Sequence, residues 1–306
     1  MNKYYSLLGV MMFFYMSVFA QQDPQYSHNM FTKLSVNPAH AGAYDAICGT
    51  LVYRNQWTGF GEGTPKTFAL MAEMPVQSLR GGLGLTVVSD QLGYEKNLIA
   101  RGAYAHKLDL GSGNLQLGLD VGYMQKSIDG EKFVYNDAND QSIPLGKVSG
   151  GTIDFGFGAY YYNEKLYAGL SASHLSESEL KTDNVSTKLV RHYYFMAGYD
   201  WELSPDITLK PSLFAKNDGT ILQADINTNV LLQNKFWLGA TYRLQDAIVL
   251  LAGLEVTQNL KVGYSYDLTT SDIKNYSSGT HEVMINYCFR VKPNVVRQFH
   301  KNVRFL

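Results

Sequence analysis

From about residue 47 to residue 290 the chain alternates apolar and polar residues in short segments separated by turn-rich stretches. Leu115, Leu117, Leu119, Val121 and Tyr123 share one parity, and Gln116, Gly118, Asp120 and Gly122 share the other. Leu260, Val262, Tyr264, Tyr266 and Leu268 repeat the pattern against Lys261, Gly263, Ser265 and Asp267. Successive side chains of a strand point to opposite faces, so each segment has one apolar face and one polar face. A tilted strand of roughly ten residues is long enough to cross a bilayer. Many such segments in series, with no helical period between them, predict an all-β chain: a transmembrane antiparallel β-barrel of about 14 strands.

The predicted strands cover about 47–54, 67–74, 82–90, 97–107, 115–126, 152–161, 165–174, 191–200, 207–215, 220–229, 235–243, 248–257, 260–268 and 281–290. With the N-terminus in the periplasm, the connections that face inward are 75–81, 108–114, 162–164, 201–206, 230–234 and 258–259, all short. The long ones, 55–66, 127–151, 175–190 and 269–280, all face outward. Short periplasmic turns and longer external loops characterise outer-membrane barrels, and a wrong strand count would scramble that split.

The segment before the barrel divides in two. Lys3 precedes an uncharged apolar run from Tyr4 to Phe19, and Val18-Phe19-Ala20 places small residues where a secretory signal is cut. Residues 1–20 are therefore read as a signal peptide cleaved after Ala20; a retained membrane helix needs about 20 apolar residues, for which this run is marginal. Residues 21–46 form a periplasmic leader rich in Asn, Pro and Gly, which either enters the barrel lumen or trails from it. Residues 47–290 are the barrel, and 291–306 a tail carrying Lys292, Arg297, Lys301 and Arg304 without an acid, expected in the periplasm.

Composition sharpens the picture at three points. Charged residues are 17% of the chain, below the roughly 25% of soluble domains, while 22 Tyr, 15 Phe and 3 Trp suit aromatic girdles at the two membrane interfaces. A net charge of −1 supplies no basic field for nucleic acid. The two cysteines, Cys48 and Cys288, fall in the first and last predicted strands with inward parity near one rim. Barrel closure brings those strands together, so a disulfide is open to them in an oxidising compartment, although adjacent-strand geometry is often poor.

Parity turns Arg101, Asp120, Asp154, Lys210, Asp225, Arg243, Glu255, Lys261 and Asp267 into the lumen, and Arg54 with them. Their signs are mixed, which favours structural pairing over a single-sign ring that selects ions. Catalytic chemistry is absent: there is no G-x-S-x-G elbow and no H-E-x-x-H helix. His281-Glu282 opens a strand, where satisfied hydrogen bonding is the simpler reading. His174 ends one strand and His192 begins the next, close enough to approach at the external rim but without a Ser or carboxylate at defined spacing. Asp137, Asn139 and Gln141 imitate a calcium loop, but Ser142 and Val148 stand where that loop needs Gly and Glu. Gly156, Gly158 and Tyr161 sit within a strand, so they make no dinucleotide site. No enzyme activity, cofactor or metal is expected.

Several stretches resemble the PorP/SprF family of outer-membrane proteins linked to bacterial type IX secretion and gliding motility. They are Gln22-Asp23-Pro24-Gln25-Tyr26-Ser27 with Met30-Phe31, then Asn37-Pro38-Ala39-His40-Ala41-Gly42, directly after the signal peptide. Arg54-Asn55-Gln56-Trp57-Thr58-Gly59-Phe60 runs on to Pro65-Lys66-Thr67, and Tyr167-Ala168-Gly169-Leu170-Ser171-Ala172-Ser173-His174-Leu175 follows. Gln223-Ala224-Asp225-Ile226-Asn227, Leu238-Gly239-Ala240-Thr241-Tyr242-Arg243, Gly263-Tyr264-Ser265-Tyr266-Asp267 and His281-Glu282 complete the series. His40, where the family often has Tyr, and Thr64, where a small apolar residue is usual, are mild departures. Asp23, Pro24, Tyr26, Asn37, Pro38 and Gly42 carry the leader motif.

The resemblance implies a non-enzymatic barrel with one of two roles. One is supporting the secretion or surface anchoring of a large adhesin by engaging its C-terminal domain. The other is membership of the core machinery, linked to a periplasmic, peptidoglycan-associated partner. Arg54, Trp57 and Phe60 are the candidates for a partner-facing surface, since exposed aromatics commonly anchor interfaces. The acids and lysines of the 127–151 loop (Asp129, Glu131, Asp137 and Asp140 against Lys126, Lys132 and Lys147) read as a solvated surface within reach of such a partner. A porin or solute transporter is the alternative of another class.

Overall fold

The computed structural model describes residues 23–133, 144, 146–182 and 185–290. The signal segment, the 291–306 tail and the calcium-like Asp137, Asn139 and Gln141 lie outside the described residues. Strands run as β1 Ile47–Asn55, β2 Lys66–Val76, β3 Gly81–Leu92, β4 Glu95–Asp109, β5 Asn114–Asp129, β6 Lys147–Tyr162, β7 Leu166–Ser173, β8 Glu179–Thr182 and β9 Val185–Lys188. They continue as β10 His192–Tyr199, β11 Trp201–Ser204, β12 Ile207–Asn217, β13 Leu222–Leu232, β14 Phe236–Arg243, β15 Ala247–Glu255, β16 Leu260–Thr269 and β17 Thr280–Phe289.

Each barrel strand pairs antiparallel with its sequence neighbours, and β1 pairs with β17 to close the ring. Apart from the separate hairpin β8–β9, and with β11 continuing β10 across a break at Asp200, the sheet is a closed barrel of 14 strands. Closure is what lipid demands, because an open edge would leave unpaired N–H and C=O groups in hydrocarbon. No helix among the described residues is long and apolar enough to cross a membrane.

The alternation reads out directly as two faces. On β5, Gln116, Gly118, Gly122 and Met124 are buried toward the interior, while Leu119 is 62% and Val121 52% exposed. Leu170, Ile226 and Leu238 are likewise exposed on other strands. A continuous apolar belt of this size belongs against lipid.

Strand ends differ from the sequence reading where register, rather than hydropathy, sets the length. β5 and β6 each run 16 residues and stay paired from Asn114↔Tyr162 to Asp129↔Lys147, so most of the turn-rich flanks of the predicted 127–151 loop are strand. With these polar extensions both strands exceed the roughly ten residues a bilayer requires. Within the predicted 175–190 loop, β8 and β9 form a hairpin whose Leu180 and Leu189 are buried. It folds back onto the barrel, with Leu175 N–H donating to the Phe155 carbonyl and Ser178 Oγ to that of Ile153.

Residues 23–46 do not trail from the barrel. They occupy its interior, running from the long-loop end to the start of β1 at the short-turn end. Tyr26, Leu34 and Ala41 join Val52, Met71, Met124 and Met284 in the main core. Cys48 and Cys288 face each other across the β1–β17 pair and are joined in a disulfide. Alkylation of the denatured, unreduced chain is accordingly expected to label neither cysteine, with both labelled after reduction; thiol titration by mass spectrometry checks this.

Candidate functional site

The lumen is organised around a ladder of alternating charges. Register sets Arg54 of β1 opposite Glu282 of β17, and Asp225 of β13 opposite Arg243 of β14. Asp267 of β16 joins the two pairs: Arg54 Nη2 lies 2.7 Å and Arg243 Nη1 3.1 Å from its Oδ2. Arg54 Nη1 reaches Glu282 at 3.1 Å, and Arg243 Nε reaches Asp225 at 3.1 Å. All five side chains are buried.

The leader supplies the remaining partners. The backbone N–H groups of Ser27 and His28 donate to Glu282 at 2.9 and 2.8 Å, and the Ser27 hydroxyl donates to Asp267 at 2.8 Å. His28 Nδ1 stands 2.7 Å from Glu282, and Gln25 Nε2 donates to Asp225 at 3.0 Å. Charge-assisted bonds of this kind are the strong class, and in a dry interior each guards against the cost of an unpaired buried charge.

A second cluster holds the start of the described leader. Asp23 Oδ1 lies 3.1 Å from His174 Nε2, and the opposite nitrogen of that ring lies 2.8 Å from Asp154 of β6. Tyr194 Oη donates to Asp23 Oδ2 at 2.8 Å, Lys216 Nζ donates to the Asp23 carbonyl at 2.9 Å, and Arg101 stands between Asp23 and Asp154. Burial alone would raise the Asp23 carboxyl, but the facing His174 and then Arg101 hold it well below the usual carboxylate range. Burial works against a charged His174, yet Asp23 and the contact to Asp154 push it up to about 9.

His174 reaches this cluster by breaking the strand rule. Ser173 and His174 are consecutive, and both are buried toward the lumen. A left-handed backbone at His174 (φ 56°), uncommon for a residue with a Cβ, turns its side chain back inward.

Further along, the leader lies against strand positions where no side chain would fit. Gly118 of β5 and Gly158 of β6 are register partners. A Cβ on Gly118 would collide with the backbone of Pro38 and Ala39, and one on Gly158 with the Asn37 side chain. Asn37 caps the turn Pro38–His40 by accepting from Ala39 N–H, and its amide donates to the Ala159 carbonyl. Glu73 accepts from Gly42 N–H at 3.0 Å and faces His40 at 3.2 Å. Lys33 lies 3.5 Å from the Tyr167 ring centroid, and burial lowers its pKa to about 8.

Below the leader, toward the short-turn end, a cavity of about 380 Å³ is lined by Phe31, Lys33, Tyr44, Tyr160, Tyr167 and Trp237. At the long-loop end Phe60 is 52% exposed and packs edge-on against the exposed ring of Tyr276. Trp57 is half-buried, and its backbone N–H donates to Thr280 Oγ1.

Placement of the sequence candidates is uneven. Asp225, Arg243 and Asp267 form the ladder, Arg101 and Asp154 the second cluster, and Asp120 lines the wall beside Gly156. Lys210 pairs with Asp200, and Lys261 with Glu255, both half-buried near the short-turn end and apart from the ladder. Arg54 corrects the partner-facing assignment: it is 2% exposed and spent on Glu282, Asp267 and Ser27 inside the barrel. Missed altogether were Glu73, Lys216 and the leader's His28. Glu282, noted earlier as hydrogen-bonded, shares inward parity with Met284 and Asn286, a signal that could have placed it in the lumen. His28 sits in a leader without periodicity, so no pattern pointed to it.

Residues 18–287 match the family described as "Type IX secretion system membrane protein PorP/SprF". No curated protein shows significant sequence similarity to the chain. Among solved structures, the CymD monoaromatic hydrocarbon channel is similar at 11% identity with a TM-score of 0.52, covering 86% of this chain and 93% of that one. The Acinetobacter baumannii outer membrane protein Omp33 is similar at 9% identity with a TM-score of 0.43, covering 80% and 97%. At such identities the likeness to CymD is one of barrel fold.

Two outcomes test the site. Glu282→Ala removes one of the two carboxylates that pair with Arg54 and orphans the buried N–H groups of Ser27 and His28, and is expected to cost about 3–5 kcal/mol, the scale for breaking one half of a buried ion pair, read from urea unfolding in detergent. Gly118→Leu should expel the leader while the strands persist. Its planar-bilayer conductance is expected to rise well above that of the parent at unchanged far-UV circular dichroism.

Proposed function

The chain belongs to the PorP/SprF family of type IX secretion system membrane proteins, and from this premise we propose that it is a plugged, non-enzymatic outer-membrane barrel that supports secretion or surface anchoring of a large adhesin by engaging the adhesin's C-terminal domain. Both termini lie in the periplasm in this reading, which puts the short turns inside and the Phe60–Tyr276 pair at the cell surface. The single observation that carries it is the leader in the lumen. A diffusion porin needs a water-filled path, whereas here Ser27, His28, Asn37 and Ala39 are all buried within the barrel. A lumen committed to its own chain leaves the rims as the working surfaces, which suits a docking protein better than a solute channel.

The rim at the long-loop end offers what a protein partner reads. Phe60 and Tyr276 form an exposed aromatic pair, and aromatic anchors dominate interface energetics. A second reading, a core machinery barrel joined to a periplasmic partner, is favoured by the aromatic cavity at the opposite end, which is bordered by the β6–β7 turn residues Asn163, Glu164 and Lys165.

Affinity purification of the tagged protein from native outer membranes, in mild detergent, separates these readings. An adhesin C-terminal fragment is the expected co-purifying protein, and the double variant Phe60→Ala, Tyr276→Ala should lower its recovery at least tenfold while the barrel stays folded. Recovery of periplasmic machinery unaffected by those substitutions would favour the second reading. A bare barrel with large, steady conductance would overturn both in favour of a porin.

A further inference from the structure

The second lumen cluster has the construction of a metal site. One ligand atom from each of Asp23, His174 and His192 lies within 4.8 Å of the others. His192 is 2% exposed. Its Nδ1 lies 2.8 Å from the Val190 carbonyl, which makes Nδ1 the donor and leaves the Nε2 lone pair free. That Nε2 is buried and without a hydrogen-bond partner. An unsatisfied buried acceptor beside a carboxylate and a second imidazole needs an explanation.

His174 is oriented in the same manner. Its Nδ1 faces Asp154 at 2.8 Å while Nε2 points at Asp23. A ligating imidazole usually gives its other N–H to a carboxylate or a backbone carbonyl; His192 donates to the Val190 carbonyl, and His174 sets its Nδ1 2.8 Å from the Asp154 carboxylate as an ion-pair contact. Asp23, His174 and His192 also border a cavity of about 40 Å³, together with Asp90 and Asn97. That is room for one ion with a water.

We propose that Asp23, His174 and His192 bind one divalent transition-metal ion of the zinc class, which ties the start of the leader to the barrel wall. Two imidazoles and a carboxylate leave a fourth tetrahedral position for solvent, filled from the adjoining cavity. Zinc bonds of about 2.0–2.1 Å would set the ligand atoms about 3.4 Å from one another, close to the present 3.1 Å between Asp23 and His174 and inside the 4.8 Å that spans the set. The ligands bind as two neutral imidazoles and a carboxylate, so any proton on a coordinating atom leaves to solvent on uptake. The metal would then join three pieces of chain that meet nowhere in sequence: the leader, the end of β7 and the start of β10. The inference concerns how the leader is held and is independent of which partner the barrel serves.

The test uses the full mature protein, purified in detergent, stripped with chelator and titrated with zinc at micromolar free concentration. One zinc per chain is expected, with Asp23→Asn and His192→Gln each weakening binding by about 100-fold or more while heat-modifiable gel mobility shows an intact barrel. Absence of stoichiometric zinc, or equal affinity in parent and variants, overturns the proposal; the second result would place the metal on surface histidines such as His106 or His281. If the variants do not insert, Co²⁺ loading of the parent decides. Intense visible bands of a tetrahedral site are expected, and the weak spectrum of an octahedral, solvated ion overturns it.

Discussion

Five buried charges in the lumen, running Glu282–Arg54–Asp267–Arg243–Asp225, set the terms for the rest of the molecule. Charges removed from water are costly unless every lone pair and N–H finds a partner. Strand side chains alone do not finish that task. Glu282 takes two backbone N–H groups from Ser27 and His28, and Asp267 takes the Ser27 hydroxyl. The barrel wall and the leader therefore depend on each other: without the leader the carboxylates lose part of their solvation shell, and without the ladder the leader's N–H groups are unpaired.

The same dependence shapes the apolar and backbone packing. Glycine in a strand interior weakens it and is kept where another backbone approaches closely. Gly118 and Gly158, paired across β5 and β6, are such positions, because Asn37 and Ala39 lie directly on them. The leader is thus seated by shape at one end and by charge at the other, with Tyr26 and Leu34 packed into the main core between. Outside, lipid imposes a separate requirement. Every strand edge must be paired, and β1 meets β17 to satisfy it, with Cys48 and Cys288 joined across that seam.

A filled lumen moves function to the ends of the barrel. The long-loop end carries the Phe60–Tyr276 pair and the β8–β9 hairpin, whose buried Leu180 and Leu189 help to close that mouth. At the short-turn end lies the aromatic cavity with Lys33 over Tyr167. On the proposed reading these ends are where polypeptide partners would dock, and the wall between them holds a scaffold in lipid.

The alternating pattern by itself determined the all-β barrel, its strand number, the inward parity of Arg101, Asp154, Asp225, Arg243 and Asp267, and the meeting of the first and last strands. Those follow from a period of two and from closure, both of which are local or topological properties. The pattern was blind where that period lapses. His174 points inward only because its backbone is left-handed, and β5 and β6 run on past the apolar belt because their register continues through polar residues. The leader has no period at all, so its position and the burial of His28 and Asp23 were decided by the tertiary structure, which also settled the two readings of Arg54 in favour of the lumen its parity indicated. Charges on five strands and one unpatterned segment satisfy one another across the lumen, at sequence separations of up to about 250 residues, and no local rule carries that information.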